Sequence, residues 1–182
     1  MGRPYISALI DTYNHERFIA QAIESVLEQD FPASEMEVLV VDDGSTDSTG
    51  TIVQNYAPRV RYLRKANGGQ ASAFNFGIPQ LSGEIVAMLD GDDWWARDKL
   101  RRVVETFEQN QDVGMVGHGL IQTDTGGKPI RLVLPEQTYR LDIRNMEAAR
   151  HFDQLKGFFG TSRVAYRRKI LERALPIPEE LV

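Results

Sequence analysis

The chain has 182 residues, 42% of them hydrophobic and 26% charged, with a net charge of −5 and no cysteine; these are values of an ordinary globular domain, not of a disordered one. The acidic balance argues against broad nucleic-acid binding, which needs a basic face. The lack of cysteine excludes disulfide and thiolate chemistry and suits a reducing, cytoplasmic setting. No apolar stretch approaches the ~20 residues that span a bilayer, and no signal-peptide core opens the chain. The expected location is cytoplasmic, with peripheral attachment at the inner face of a membrane left open.

Tyr5 to Ile10 reads as a first strand, and Phe18, Ile19, Ala22, Ile23, Val26 and Leu27 follow at helical spacing. Val38-Leu39-Val40-Val41 is a short apolar run, as in a parallel strand covered on both faces. Asp42-Asp43-Gly44-Ser45-Thr46-Asp47 supplies turn and capping chemistry for a helix through Ile52, Val53 and Tyr56. A third strand is expected at Val60 to Leu63, a loop at Asn67-Gly68-Gly69 and a helix from about Gln70 to Pro79. Ile85 to Leu89 forms a fourth strand, and Leu100, Val103, Val104 and Phe107 mark the helix behind it. This alternation predicts an α/β fold with a mainly parallel sheet. Further on, strands are expected at Val113 to Ile121 and Ile130 to Leu134 around a turn at Thr125 to Lys128. A helix at Asn145 to Gln154, a short strand at Thr161 to Tyr166 and a helix at Arg167 to Ala174 complete the reading.

Asp90-Gly91-Asp92-Asp93 directly follows the fourth strand. If the strand continues, Asp90 and Asp92 project to the same side while Asp93 faces away. Two carboxylates that close call for a hard divalent cation, whose shell phosphate oxygens can complete; the same residues also suit a strand end that caps the next helix. Ligands in parallel α/β sheets bind beyond the carboxyl ends of strands, and here four consecutive ends are polar. They carry Asp11-Thr12-Tyr13-Asn14, Asp42-Asp43, Asn67-Gly68-Gly69-Gln70 and Asp90-Gly91-Asp92. Tyr13 can stack on a base or pack beneath the first helix. Asp43 can accept the N3–H of uracil, Asp42 can hold ribose hydroxyls or cap its turn, and Gly68 and Gly69 permit close backbone approach. Structural or surface roles are expected for His15, His118 and His151, and solvated faces for Arg59-Arg61-Arg64-Lys65 and Arg167-Arg168-Lys169. Neither G-x-G-x-x-G after the first strand nor a P-loop is present.

Thr12-Tyr13-Asn14, Ile23 to Gln29, Val40 to Asp47, Asn67-Gly68-Gly69 with Ala73 to Ile78, and Leu89 to Asp93 together resemble the inverting family 2 glycosyltransferases, over roughly residues 4 to 120. The resemblance implies a GT-A fold in one domain over 1–182, with a nucleotide-sugar-binding half at 1–112 and an acceptor-side half at 113–182. It implies a nucleotide-sugar donor, most often a UDP-sugar, with Mg²⁺ or Mn²⁺, and a saccharide, lipid-linked or other hydroxyl acceptor in polysaccharide or glycoconjugate synthesis. Carried over by position, Tyr13 and Asp43 resemble the base-contacting residues, Asp90 the ribose or metal-shell carboxylate and Asp92 the direct metal ligand. Asp11, Thr12, Asn14, Asp42, Asn67, Gly69, Gln70 and Gly91 complete the expected donor site. Gly160-Thr161-Ser162 and Arg167-Arg168 look like the segment near the acceptor. Asp11 stands where many relatives have proline, and Phe74 where many have arginine. The general base in such relatives is an acid downstream of Arg167-Arg168. Glu179 and Glu180 are the weak candidates here, and the expected base lies beyond Val182, as in a truncated domain. A catalytically idle nucleotide-sugar-binding module and a metal-dependent nucleotidyltransferase are the alternatives.

Overall fold

The computed structural model describes residues 4–124, 126–134 and 160–179. The helix expected at Asn145 to Gln154 lies outside them, as do His151 and Glu180. Strands β1 (Ile6–Thr12), β2 (Met36–Asp42), β3 (Arg61–Arg64) and β4 (Ile85–Asp90) alternate with helices α1 (Ile19–Leu27), α2 (Thr49–Gln54) and α3 (Gln70–Gly77), and α4 (Lys99–Gln109) follows β4. Then come β5 (Met115–Gly117), the hairpin β6 (Leu120–Thr123) and β7 (Pro129–Val133), β8 (Val164–Arg167) and α5 (Arg168–Arg173).

The main sheet has the order β3-β2-β1-β4-β8-β5. The first four strands run parallel, and β8 joins β4 antiparallel. Strand order therefore reverses at β1, which pairs with β2 on one side and β4 on the other. Register brings Asp11 opposite both Val41 and Asp90. The apolar runs are explained by cover on both faces. Ile6, Ala8, Ile10, Val40, Ala87 and Leu89 pack with α1, α2 and α4, while Leu9, Leu39, Val41, Val86 and Met88 meet α3 and Leu171 of α5. Phe74 is core, 4% exposed, so the place of a cationic contact is taken by packing.

Three expectations need correction. β4 stops at Asp90, and the chain turns there, with the Asp93 amide donating to the Asp90 carbonyl at 3.0 Å; Asp92 is exposed on this turn and does not share a strand face with Asp90. The next helix starts at Lys99 with Asp98 at its N-cap position, so the strand-end aspartates Asp90, Asp92 and Asp93 do not cap it. Finally, Val113 to Ile121 is not one strand. It divides at His118-Gly119 because the His118 amide donates to the Arg163 carbonyl, while a side chain at Gly119 would meet the Val133 carbonyl at 2.4 Å.

Candidate functional site

Two loops are fastened before any ligand arrives. Asn14, at φ 56°, donates its amide to Ser45 Oγ at 2.9 Å and accepts the Thr46 amide at Oδ1 at 2.7 Å. Asp42 is fully buried. Its oxygens accept the Ser45 amide at 2.7 Å and the Tyr62 hydroxyl at 2.6 Å, so it caps its own turn and does not face the pocket. Asp43 faces the other way and grips the glycine loop. It accepts Lys65 Nζ at 2.6 Å, the Gly68 amide at 3.0 Å and the Gly69 amide at 2.6 Å. Gly44, at φ 84°, makes this approach possible, because a Cβ there would stand 2.7 Å from the Asn67 nitrogen.

The grip shapes a cavity of about 180 Å³ lined by Asp11, Thr12, Tyr13, His15, Asp43, Asn67, Gly69 and Gln70. Seven of these are expected donor residues; His15 is the addition, its Nδ1 3.3 Å from Thr12 Oγ1. Asn14 and Asp42 support the wall without lining it. A larger hollow, about 260 Å³, lies between α1 and Trp94, Trp95 and Arg97, and no strand-end carboxylate lines it.

Beside the cavity, Gln70 Nε2 donates to Asp11 Oδ2 and to Asp90 Oδ1, both at 3.0 Å. Thr161 Oγ1 also donates to Asp90 Oδ1, and the Asp90 amide donates to Ser162 Oγ at 3.0 Å. Burial pushes the Asp11 carboxyl up to about 7, with the Asp90 charge adding to the effect. Burial likewise raises Asp90, with Asp93 and Asp92 contributing and Thr161 opposing. Asp11 Oδ1 is buried without a hydrogen-bond partner among the described residues. Gly91 lets the turn close tightly, since a Cβ there would stand 2.6 Å from Thr12 Oγ1.

Among the described residues no three His, Asp or Glu side chains form a ready-made metal cage. Even so, the donor set suits a hard cation: crowded carboxylates at Asp11 and Asp90, raised by burial and then by neighbouring charge, one oxygen without a hydrogen-bond partner among the described residues, and Asp92 exposed on the adjoining turn. Phosphate oxygens would have to complete the shell.

Sequence reasoning set Thr161 and Ser162 near the acceptor without their contacts to Asp90, and it missed Lys99; these contacts span more than sixty residues and leave no local signal. Arg59 and Lys169 are exposed, as on solvated faces, while other members of the basic clusters are engaged within the fold. Arg64 donates to the Ser45 carbonyl at 2.6 Å, and Arg167 turns inward to the Phe107 carbonyl at 2.8 Å. Arg168 pairs with Glu172. Glu179 is exposed.

The fold is that of the GT-A glycosyltransferases. Residues 7–175 match the family described as Glycosyl transferase family 2, and the chain belongs to it. It is 38% identical to an uncharacterized glycosyltransferase of Nostoc sp. over 94% of this chain and 53% of that protein. It is 35% identical to the poly(ribitol-phosphate) beta-N-acetylglucosaminyltransferase TarS of Staphylococcus aureus, over 64% of this chain and 22% of TarS. The mannosyltransferase PcManGT from Pyrobaculum calidifontis, solved with GDP-Man and Mn²⁺, superposes with a TM-score of 0.71 at 25% identity, over 99% of this chain and 49% of that one. A TarS fragment in complex with UDP gives 0.71 at 26% identity, over 97% and 51%. The chain spans about half the length of the first curated relatives it matches. No helix among the described residues is long and apolar enough to cross a membrane.

Proposed function

We propose that this chain is the donor-binding part of a metal-dependent, inverting glycosyltransferase that moves a sugar from a nucleoside-diphosphate sugar, a UDP-sugar in the first place, to an acceptor hydroxyl in polysaccharide or glycoconjugate synthesis. The observation that carries the reading is the Asp11–Gln70–Asp90 bridge, set beside a cavity built from the other strand ends. Tyr13, 45% exposed, offers a ring face to the base. Asp43, which lines the cavity, would accept the uracil N3–H in exchange for part of its hold on the glycine loop, and Asp90 would meet the ribose. Asp92 and Asp90 would hold Mg²⁺ or Mn²⁺, which when bound offsets charge developing on the departing diphosphate. Gln70, Thr161 and Ser162 keep the Asp90 carboxylate oriented. The acceptor hydroxyl attacks the anomeric carbon opposite the phosphate, and its proton passes to a carboxylate base. We place that base on the acidic run after Ile177, with Glu179 and Glu180 as this chain's candidates, or on residues following Val182 in a longer protein. The UDP complex of TarS and the Mn²⁺ complex of PcManGT support the donor and metal assignments.

UDP and Mn²⁺ together should raise the melting temperature more than either alone. Saturation near 100 times Kd contributes roughly 2.7 kcal/mol, or roughly 5–10 °C for a domain of this size. Asp92→Asn should lose the Mn²⁺-dependent part. An undiminished Mn²⁺ effect in that variant removes Asp92 from the metal assignment, and tighter calorimetric binding of GDP than of UDP removes uracil.

A further inference from the structure

Lys99, at the start of α4, is 6% exposed, a burial that lysine almost never shows without a paired charge. Among the described residues no carboxylate lies within ion-pair distance of it. Its ammonium donates to the Ser162 carbonyl at 2.7 Å and stands 4.0 Å over the Trp95 ring. Burial pushes its pKa well below the ordinary lysine value, with Asp93 and then Asp90 opposing in part. A carbonyl, an aromatic face and two nearby acids all favour the charged form.

The contact with Ser162 has a second consequence. The turn Thr161–Arg163 carries both hydroxyls that engage Asp90, through its carboxylate and its amide. Lys99 fastens this turn from below. It is therefore a cation held close to the acids at the end of β4 but not neutralised by direct contact with any of them.

We propose that Lys99 is a positioning residue and buried counter-charge: it anchors the Thr161–Arg163 turn against Asp90 and lowers the negative potential of the Asp90, Asp92 and Asp93 cluster, so that the site accepts an anionic diphosphate together with its cation. The inference rests on the donor-binding reading above. It makes two affinities move in opposite directions. Removing the positive charge leaves a more negative cluster, which attracts a free divalent cation more strongly and a diphosphate less strongly.

The test uses Lys99→Met in the full 182-residue chain. Mn²⁺ affinity without nucleotide is read by paramagnetic resonance of the free ion, and UDP affinity at saturating Mn²⁺ by calorimetry. The expected result is Mn²⁺ binding about three- to tenfold tighter and UDP binding about three- to tenfold weaker, the size of one charge acting at intermediate dielectric. A purely structural lysine weakens both, and that outcome, or unchanged Mn²⁺ affinity, overturns the proposal. If the unmodified chain binds neither ligand, the donor-binding reading itself fails, which is a separate result. Should the variant not fold, the ¹³Cε resonance of Lys99 in the unmodified chain decides: an ammonium shift at pH 7 supports the counter-charge, and a neutral amine overturns it.

Discussion

Asp11 carries the sharpest electrostatic conflict in the molecule. Its Cα is opposite that of Asp90, the Gln70 amide is shared between the two carboxylates, and burial lifts its pKa to about 7. The unfolded chain ionises Asp11 near pH 4. Between about pH 4 and 7 the unfolded state thus gives up a proton that the folded state keeps, and stability falls as pH rises. The contribution is complete below about pH 4 and lost above about pH 7. Asp11→Asn keeps the shape and deletes the conflict. It should stabilise the ligand-free chain at pH 8 by about 1–3 kcal/mol and matter little at pH 4. Melting curves from pH 4 to 8 check this: parallel curves for the two proteins would mean that Asp11 ionises normally. The resemblance in sequence set Asp11 in the expected donor site, where many relatives have proline, and it could go no further. Whether Asp11 reaches toward Asp90, or which of Asp42 and Asp43 faces the ligand, is decided by Gln70, Tyr62 and Lys65, residues brought together by the sheet.

The elements most legible in sequence are those whose local pattern and tertiary role agree. Val38 to Val41 and Ile85 to Leu89 are apolar throughout because both faces of the sheet are covered, and α1 and α4 show a 3.6-residue stripe because one face is. Legibility fails where an element ends for a tertiary reason, as at Gly119 against the Val133 carbonyl or at the turn after Asp90. Gly77, in the last turn of α3, shows the same conflict at one position. Helix propensity favours alanine there by about 1 kcal/mol. Packing opposes it, since a Cβ would stand 2.7 Å from Val41 Cγ2 and 3.0 Å from Leu9 Cδ1, both in the body of the sheet. Overpacking of a rigid core costs about 1–3 kcal/mol, so packing wins. Gly77→Ala should lower stability by up to about 2 kcal/mol and, by lifting the helix that begins at Gln70, weaken UDP binding as well. A higher urea midpoint for the variant would show that α3 has room to move and that the sheet does not set its height.

At the scale of the molecule, the cavity is built at the ends of β1, β2 and β3, and the segment after β8 packs along α3, the helix that follows β3. Asn75 in α3 donates to the Ile177 carbonyl at 2.8 Å and accepts the Ile177 amide at 2.7 Å, closing a span of 102 residues. The paired contact holds the 175–178 run along the helix whose N-terminus forms the donor loop. The resemblance in sequence marked Asn75 as part of a motif but gave it no task, because its partner is a backbone group far along the chain. If the acids after Ile177 serve the acceptor, this tether should matter for transfer more than for donor binding. Asn75→Ala strips two hydrogen bonds from a partly buried peptide group, a cost of about 1–3 kcal/mol. Much of that cost should appear as local opening, not global unfolding. Hydrogen exchange is expected to show the Ile177 amide losing protection while β1 and β2 keep theirs. UDP affinity in the presence of Mn²⁺ should stay within about twofold, while the rate of transfer to a hydroxyl acceptor, measured in a protein that includes whatever follows Val182, should fall at least about tenfold, toward the 10²–10⁴ that a positioned base is worth. Loss of donor affinity with transfer per bound donor unchanged would reverse the assignment, making the tether a support of the donor loop and leaving the base elsewhere.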